Sequence, residues 1–210
     1  MGQKINPLGF RVGISKGWSS RWFTDKRKYG TYVIEDHKIR KYLGEKFETA
    51  GIKDIHIERS PNEIKVIIRV SKPGIVIGKG GAGVTEAQEE LKRMTNAKIS
   101  LTAEEVKTPE IEAALVAQYI ERQLKRRMPY RRVMSSAAQS AMDKGAKGIK
   151  IRLAGLLGGG NSIGRVEQVG LGSIPSQTLR ADIDYAQHDV HMLYGSVGIK
   201  VWIYKGELEL

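Results

Sequence analysis

The chain of 210 residues has no cysteine. That absence excludes disulfides, cysteine-bound zinc and cysteine nucleophiles, and it is compatible with a reducing cytoplasm. No apolar run approaches the roughly 18 residues of a membrane span. The opening MGQKINPLGF has no apolar signal-peptide core, and Asn6 stands where a myristoylation signal needs Ser or Thr. Acid is also scarce. There are 23 Asp and Glu against 35 Lys and Arg, a net charge of +12. Both halves of the chain share this imbalance, so a polyanion is the expected partner. What is present suffices for packed cores, since 40% of residues are apolar.

The first sixteen residues mix Gly, Pro, Lys and Arg without helical or strand period. They read as an extended basic arm, ordered on a partner. Trp18 and Trp22 then flank Arg21, either to stack on bases or to anchor the arm on the core. From Asp36 to Ala50, Ile39, Tyr42, Leu43 and Phe47 recur at helical spacing, and Gly51 follows as a C-cap. The runs IKDIHIE and IKVIIRV alternate apolar and polar residues, joined by a turn, RSPNE. After GIVIGKGGAG, a helix presents Val84, Ala87, Leu91 and Met94, and AKISLTAEE reads as a strand.

Lys107-Thr108-Pro109 marks a boundary, with Thr108 as N-cap of the next helix and Pro109 at its first position. That helix keeps Ala113, Val116, Ala117, Ile120 and Leu124 on one side, and Pro129 ends or bends it. A second helix carries the stripe Tyr130, Val133, Met134, Ala137, Ala138, Ala141 and Met142, and Gly145 closes it. The runs IKIRL, LRADIDY and IKVWIY are strands, and IGRVEQV reads as a further one.

The glycine stretch decides the function class. Gly78, Gly80 and Gly83 satisfy G-x-G-x-x-G, but a dinucleotide fold needs alternating strands and helices around that motif, and here a hairpin precedes it. A phosphate-binding P-loop fails because Gly80 occupies the Ser or Thr position. A plain connecting turn needs neither four glycines nor a lysine. The narrower pattern Gly78-Lys79-Gly80-Gly81 fits the G-x-x-G loop of a KH domain, which joins two helices and clamps about four nucleotides. The element order is that of the type II KH fold. Glycines admit the backbone, the following helix turns its N–H groups toward phosphate, and Lys79 adds charge.

Over nearly its full length the sequence resembles the family of the third protein of the bacterial small ribosomal subunit, S-three. The blocks that carry the resemblance include MGQKINPLGFRVGI, KPGIVIGKGG, ELKRMTNAKISL, RRMPYRRVM, GAKGIKI, TLRADIDY and YGSVGIKVWIYKGE. It implies an α+β protein in three parts. An arm spans 1–16 and a type II KH domain with a three-stranded sheet spans 17–105. A sandwich-like domain of two helices on a four-stranded sheet spans 106–210. The resemblance further implies a structural constituent of the ribosome in the cytoplasm, bound to small-subunit (16S) rRNA in the head and lining the channel where mRNA enters. Neighbours would be the head proteins S-ten and S-fourteen and the channel proteins S-four and S-five. Lys72, Arg11 and Lys4 are expected to support RNA binding.

A second basic site is ERQLKRRMPYRR. Arg126, Arg127, Arg131 and Arg132 are expected to form an exposed face with almost no acid near it except Glu121, and such a face is explained by a polyanion. In the family this segment faces incoming mRNA and is implicated in unwinding it. Ser135 and Ser136 stand where members commonly have Lys and Arg. Segment 155–177 departs further. Leu156, Gln168, Val169, Gly170 and Ser173 replace arginines and aromatics, with one extra residue near Gly160, while Arg165, Glu167, Gly172, Pro175 and Arg180 match. Many members also carry a basic tail beyond the point where this sequence stops.

No catalytic pattern competes. His37, His56, His188 and His191 lack metal-ligand spacing, and Asp182 and Asp184 are expected to pair with Arg180 on a strand surface. A binding protein is expected, with no cofactor, no metal and no small-molecule substrate. The alternative is a free-standing KH regulator of RNA.

Overall fold

The computed structural model describes residues 4–60, 63–95, 97–157 and 163–208. In chain order the elements are α1 (Pro7–Arg11), β1 (Ser20–Arg21), α2 (Lys26–Lys46), β2 (Ile52–Arg59), β3 (Glu63–Val70), α3 (Pro73–Ile77), α4 (Ala82–Thr95), β4 (Lys98–Glu105), α5 (Ala113–Lys125), α6 (Tyr130–Asp143), β5 (Gly148–Gly155), β6 (Arg165–Gly172), β7 (Ala181–Met192) and β8 (Gly195–Glu207). They divide into two compact units. One holds residues 18–107, and the other holds the N-terminal arm together with 108–210. Among the described residues no helix is long and apolar enough to cross a membrane.

In the first unit β2, β3 and β4 form the expected sheet, antiparallel between β2 and β3 and parallel between β3 and β4. A two-residue edge, β1, lies parallel to β2, so the sheet has four strands where three were expected. Alternation places Ile55, Ile57, Ile64, Val66, Ile68, Ile99 and Leu101 inward, under Ile39 and Leu43 of α2, Phe47 just after it, and Leu91 of α4. Each such side chain contributes about 1.5–3 kcal/mol by leaving water. Helix α2 starts ten residues before Asp36, the expected start. It ends at Lys46 with Phe47 as its C-cap, and Gly51, the expected cap, instead closes the 3-10 turn Glu48–Ala50 that follows, at φ 71°. Met94 departs from the expected face of α4 and is 47% exposed. Pro61 and Asn62, in the expected β2–β3 turn, lie outside the described residues.

Trp22 is an anchor. Its Nε1–H donates to Asp36 Oδ2 at 2.8 Å, and its ring packs on Tyr29 and Tyr32. Asp36 is buried and also accepts from Ser20 Oγ and from Arg59, at 2.6 Å for Nη2. This knot ties the segment after the arm onto α2 and β2. Trp18 is 66% exposed.

In the second unit α5 and α6 cover one face of an antiparallel sheet of order β6-β5-β8-β7. All five expected residues of the α5 stripe are buried there, against Ile149, Ile151, Leu153, Ile199, Val201 and Ile203; of the seven expected on α6, five are buried and Tyr130 and Met142 pack against the core partly exposed. Thr108 and Pro109 open a short 3-10 turn, Pro109–Ile111, and Thr108 makes no side-chain cap. The first N–H of α5, at Ala113, donates instead to Asp184 Oδ2 at 2.8 Å. The expected pairing of Asp182 and Asp184 with Arg180 is therefore corrected. Asp184 caps a helix, Asp182 meets Lys16 at 2.5 Å, and Arg180 reaches Glu207 at 4.0 Å. Strand β7 runs to Met192, seven residues past the expected Tyr185. Gly160, the site of the extra residue, lies outside the described residues.

The arm is not an extended, uncommitted segment. Asn6 caps α1, its Oδ1 accepting from Leu8 N at 2.9 Å. Arg11, one turn on, is fully buried.

Candidate nucleic-acid interface

The glycine loop follows from the close crossing of α3 and α4. A Cβ on Gly83 would lie 2.6 Å from the Val76 carbonyl oxygen, and one on Gly78 would lie 3.0 Å from Gly83 N. These two glycines let the helices approach. Gly80 and Gly81 serve differently. They adopt φ 62° and 85°, and a Cβ on either would meet nothing within 4 Å. Their backbone faces open space in the left-handed conformation that glycine adopts without cost. Thr85 Oγ1 donates to Gly81 O at 3.0 Å and holds the turn. Lys79 is exposed on it, and Lys72 is exposed at the start of α3.

The first turn of α4 contains no acidic residue, so its positive end is uncompensated. Beside the loop, Val76 is buried while Ile75 and Ile77 stay 44% and 43% exposed. The unit thus combines an open backbone, a lysine, a bare helix N-terminus and two exposed apolar side chains around one loop. That set suits a sugar-phosphate chain with unstacked bases.

Two of the expected supporting residues, Lys4 and Arg11, lie in the other unit, and Lys4 is exposed there. Arg11 as an RNA ligand is corrected outright. Its Nε donates to Ala181 O at 2.9 Å, Nη1 to Pro7 O at 3.0 Å, and Nη2 to Thr178 O at 2.7 Å and Ser176 O at 3.2 Å. Burial lowers its pKa, and Asp182 opposes the shift. With the guanidinium spent on carbonyls, none of it faces a polyanion.

The second basic site lies at the α5–α6 connection. Arg126, Arg127, Arg131 and Arg132 are all exposed. Arg127 is the one non-glycine with positive φ among the described residues, at 59°. It takes the position after a helix end where glycine is usual, and its N–H donates to Leu124 O at 2.8 Å. Left-handed backbone at a bulky residue costs about 1–2 kcal/mol, so the sequence keeps a cation there against local preference. The face is not as free of acid as expected. Glu167 of β6 approaches Arg131 at 3.5 Å and accepts from the Tyr130 hydroxyl at 3.3 Å. Glu121, the expected nearby acid, is buried instead between Lys125 at 2.7 Å and His188 at 2.6 Å. Ser135 and Ser136 are exposed on α6.

Two family models match, one described as KH domain over residues 38–111 and one as ribosomal protein S3, C-terminal domain, over residues 120–203. The small ribosomal subunit protein uS3 of Desulforamulus reducens is 50% identical over 208 residues, covering 99% of this chain and 94% of that one. Those of Pelagibacter ubique and Finegoldia magna are 49% and 48% identical, with 92% and 85% of their lengths covered. The chain belongs to the uS3 family. This family is structural and non-enzymatic, in line with the expectation of a binding protein. The KH match spans Gly78–Gly81, and the C-terminal match spans Arg126–Arg132 and the sheet behind them. Both candidate sites were visible in the sequence as clusters, whereas the packing role of Gly83 and the strained Arg127 were not, and of these only the glycine spacing left a local trace.

Proposed function

We propose that this uS3 family member is a constituent of the small ribosomal subunit in the cytoplasm, bound to 16S rRNA in the head through its KH loop. Its Arg126–Arg132 face lines the channel where mRNA enters, and S-ten, S-fourteen, S-four and S-five are its neighbours. The observation that carries the RNA-binding part is the loop itself. Lys79, Gly80 and Gly81 stand open at the uncompensated end of α4, in a unit whose fold is that of a KH domain. Lys79 meets phosphate, not a base edge.

Lys79→Ala should therefore weaken binding of single-stranded RNA about equally across sequences and lower the salt slope by about one. Replacing Lys79 and Gly80 together by Asp should abolish binding by this loop and leave the fold intact, since neither side chain enters the core. Loss of the far-UV circular dichroism signal in that variant would make the loop structural. A free-standing KH regulator would bind RNA in the same oligonucleotide assay but would not travel with ribosomal subunits.

A further inference from the structure

The second unit's sheet has a face that α5 and α6 do not cover; at one end of it Ala181, Ile183 and Tyr204 are buried, and the rest is accessible. Strand register fixes what lies on it. Residues paired across antiparallel strands share a face, and the pairs Ile149–Ile203, Ile151–Val201 and Leu153–Ile199 are buried under α5 and α6. The intervening residues therefore form two rows on the opposite face. One row runs Gly170, Lys150, Trp202, Tyr185, and the next runs Gln168, Arg152, Lys200, Gln187.

Three features of these rows point the same way. Arg152 and Lys200 stand directly opposite one another, an arrangement that destabilises an isolated sheet. Burial lowers the pKa of Lys150, and Lys4, reaching in from the arm, and Arg152 lower it further. The acid in the neighbouring row, Asp189, lies across from Gly198 beyond these cations. Among them the Trp202 and Tyr185 rings lie 5.3 Å apart at 42°, with Lys150 over the Trp202 ring at 5.7 Å. Ile174 packs against Trp202, which leaves Tyr185 as the outer ring. Gly170, at the end of the first row, places no side chain opposite Lys150.

We infer that this open sheet face is a further RNA-binding platform, taking a single-stranded segment with its bases on Tyr185 and Trp202 and its phosphates on Lys150, Arg152, Lys200 and Lys4. Aromatic rings between cations, on a sheet face that α5 and α6 leave accessible, suit unstacked bases joined by phosphates. An acidic protein segment would answer the charge and leave the ring pair without a planar partner. The inference rests on the proposed function only in taking RNA as the partner.

The test uses the full chain carrying Lys79→Asp and Gly80→Asp as parent, so that the glycine loop does not mask the platform. Binding of a short unstructured RNA oligonucleotide is followed by fluorescence anisotropy as a function of salt. Adding Lys150→Gln, Arg152→Gln and Lys200→Gln should weaken binding at least about tenfold and lower the salt slope by about two, since each single-strand phosphate contact contributes about 0.7. Adding Tyr185→Ser alone should weaken binding about fivefold with the slope unchanged, because stacking releases no counterions. Affinities within about twofold of the parent for both, with unchanged unfolding midpoints, would overturn the inference.

A second measurement needs no variant. Ultraviolet cross-linking of intact small subunits containing the unmodified chain should give RNA adducts on peptides that hold Tyr185 or Trp202. RNA adducts confined to other peptides, with Lys150 or Lys200 instead chemically linked to another protein, would overturn it and make the face a protein contact. Failure of the proposed function shows separately, as absence of the chain from small subunits.

Discussion

Replacing Arg11 by alanine separates its two readings, RNA ligand and structural clamp. The fully buried guanidinium bonds the carbonyls of Pro7, Ser176, Thr178 and Ala181. Hydrogen bonds from a charged group are worth about 1.5–3 kcal/mol each, and a buried group left unpaired costs about 1–3 kcal/mol. Water enters the space left behind and restores part of this, so the expected loss is about 3–5 kcal/mol. That is a large share of the about 5–15 kcal/mol that holds a domain folded. Arg11→Lys retains the charge without the fork and can satisfy only some of these acceptors, so it should recover less than half. The assay is hydrogen exchange of the β7 and β8 amides, beside RNA affinity at several salt concentrations. Exchange should speed up in both variants, with the unit at 18–107 unchanged and the salt slope unchanged. Unaltered exchange with weaker RNA binding, rescued by lysine, would refute the structural reading.

Other outcomes follow from the same geometry. Gly83→Ala places a methyl 2.6 Å from the Val76 carbonyl and should cost about 1–3 kcal/mol, while Gly80→Ala meets open space and should cost about 1–2 kcal/mol from backbone strain alone. Urea midpoints for the unit at 18–107 check the order, and a larger loss at Gly80 contradicts it. Arg131→Ala with Arg132→Ala should leave entry of the chain into the small subunit nearly intact and slow elongation through stable mRNA hairpins, whereas Glu167→Gln should free Arg131 and speed it. Failure of the double variant to enter the subunit would make this face an rRNA anchor. Burial raises the Glu121 pKa, but Lys125 and His188 outweigh that and hold it below the ordinary value. Its ion pairs therefore add stability above the ordinary carboxyl range, lost as pH falls through the lowered value. Glu121→Gln should lower the unfolding midpoint at neutral pH and change it little in strong acid. An equal loss at both would show that packing alone is at work.

The stripes of α5 and α6 were legible because their buried positions, Leu115 aside, repeat at helical spacing and both helices rest on one sheet. Helix α2 was legible only from Asp36 on. Its first ten residues include Tyr29, Val33 and Ile34, all more than 40% exposed, so no inward stripe marks them. Strand β7 was cut short because Gln187, His188 and Asp189 interrupt its apolar alternation, while pairing with β8 carries it to Met192. The glycine loop was readable as a cluster, but the split between Gly78 and Gly83, which admit a neighbouring helix, and Gly80 and Gly81, which stay open, depends on distances. Arg11 was misread because its acceptors at Pro7, Ser176, Thr178 and Ala181 lie mostly about 170 positions away, and a cation in a basic arm gives no local sign of burial. The two rows on the open sheet face were invisible for the same reason, since they exist only once four strands are in register.

The central claim, that this chain works as an RNA-bound part of the small ribosomal subunit, is tested most directly by fractionation. A tagged chain expressed in cells is followed through a sucrose gradient at moderate salt, beside the Lys79→Asp, Gly80→Asp variant. The unmodified chain should sediment with small subunits and remain there, and the variant should shift toward the top of the gradient. Recovery of the unmodified chain only in the light fractions, bound to other RNA, would contradict the account and leave a free-standing KH regulator in its place.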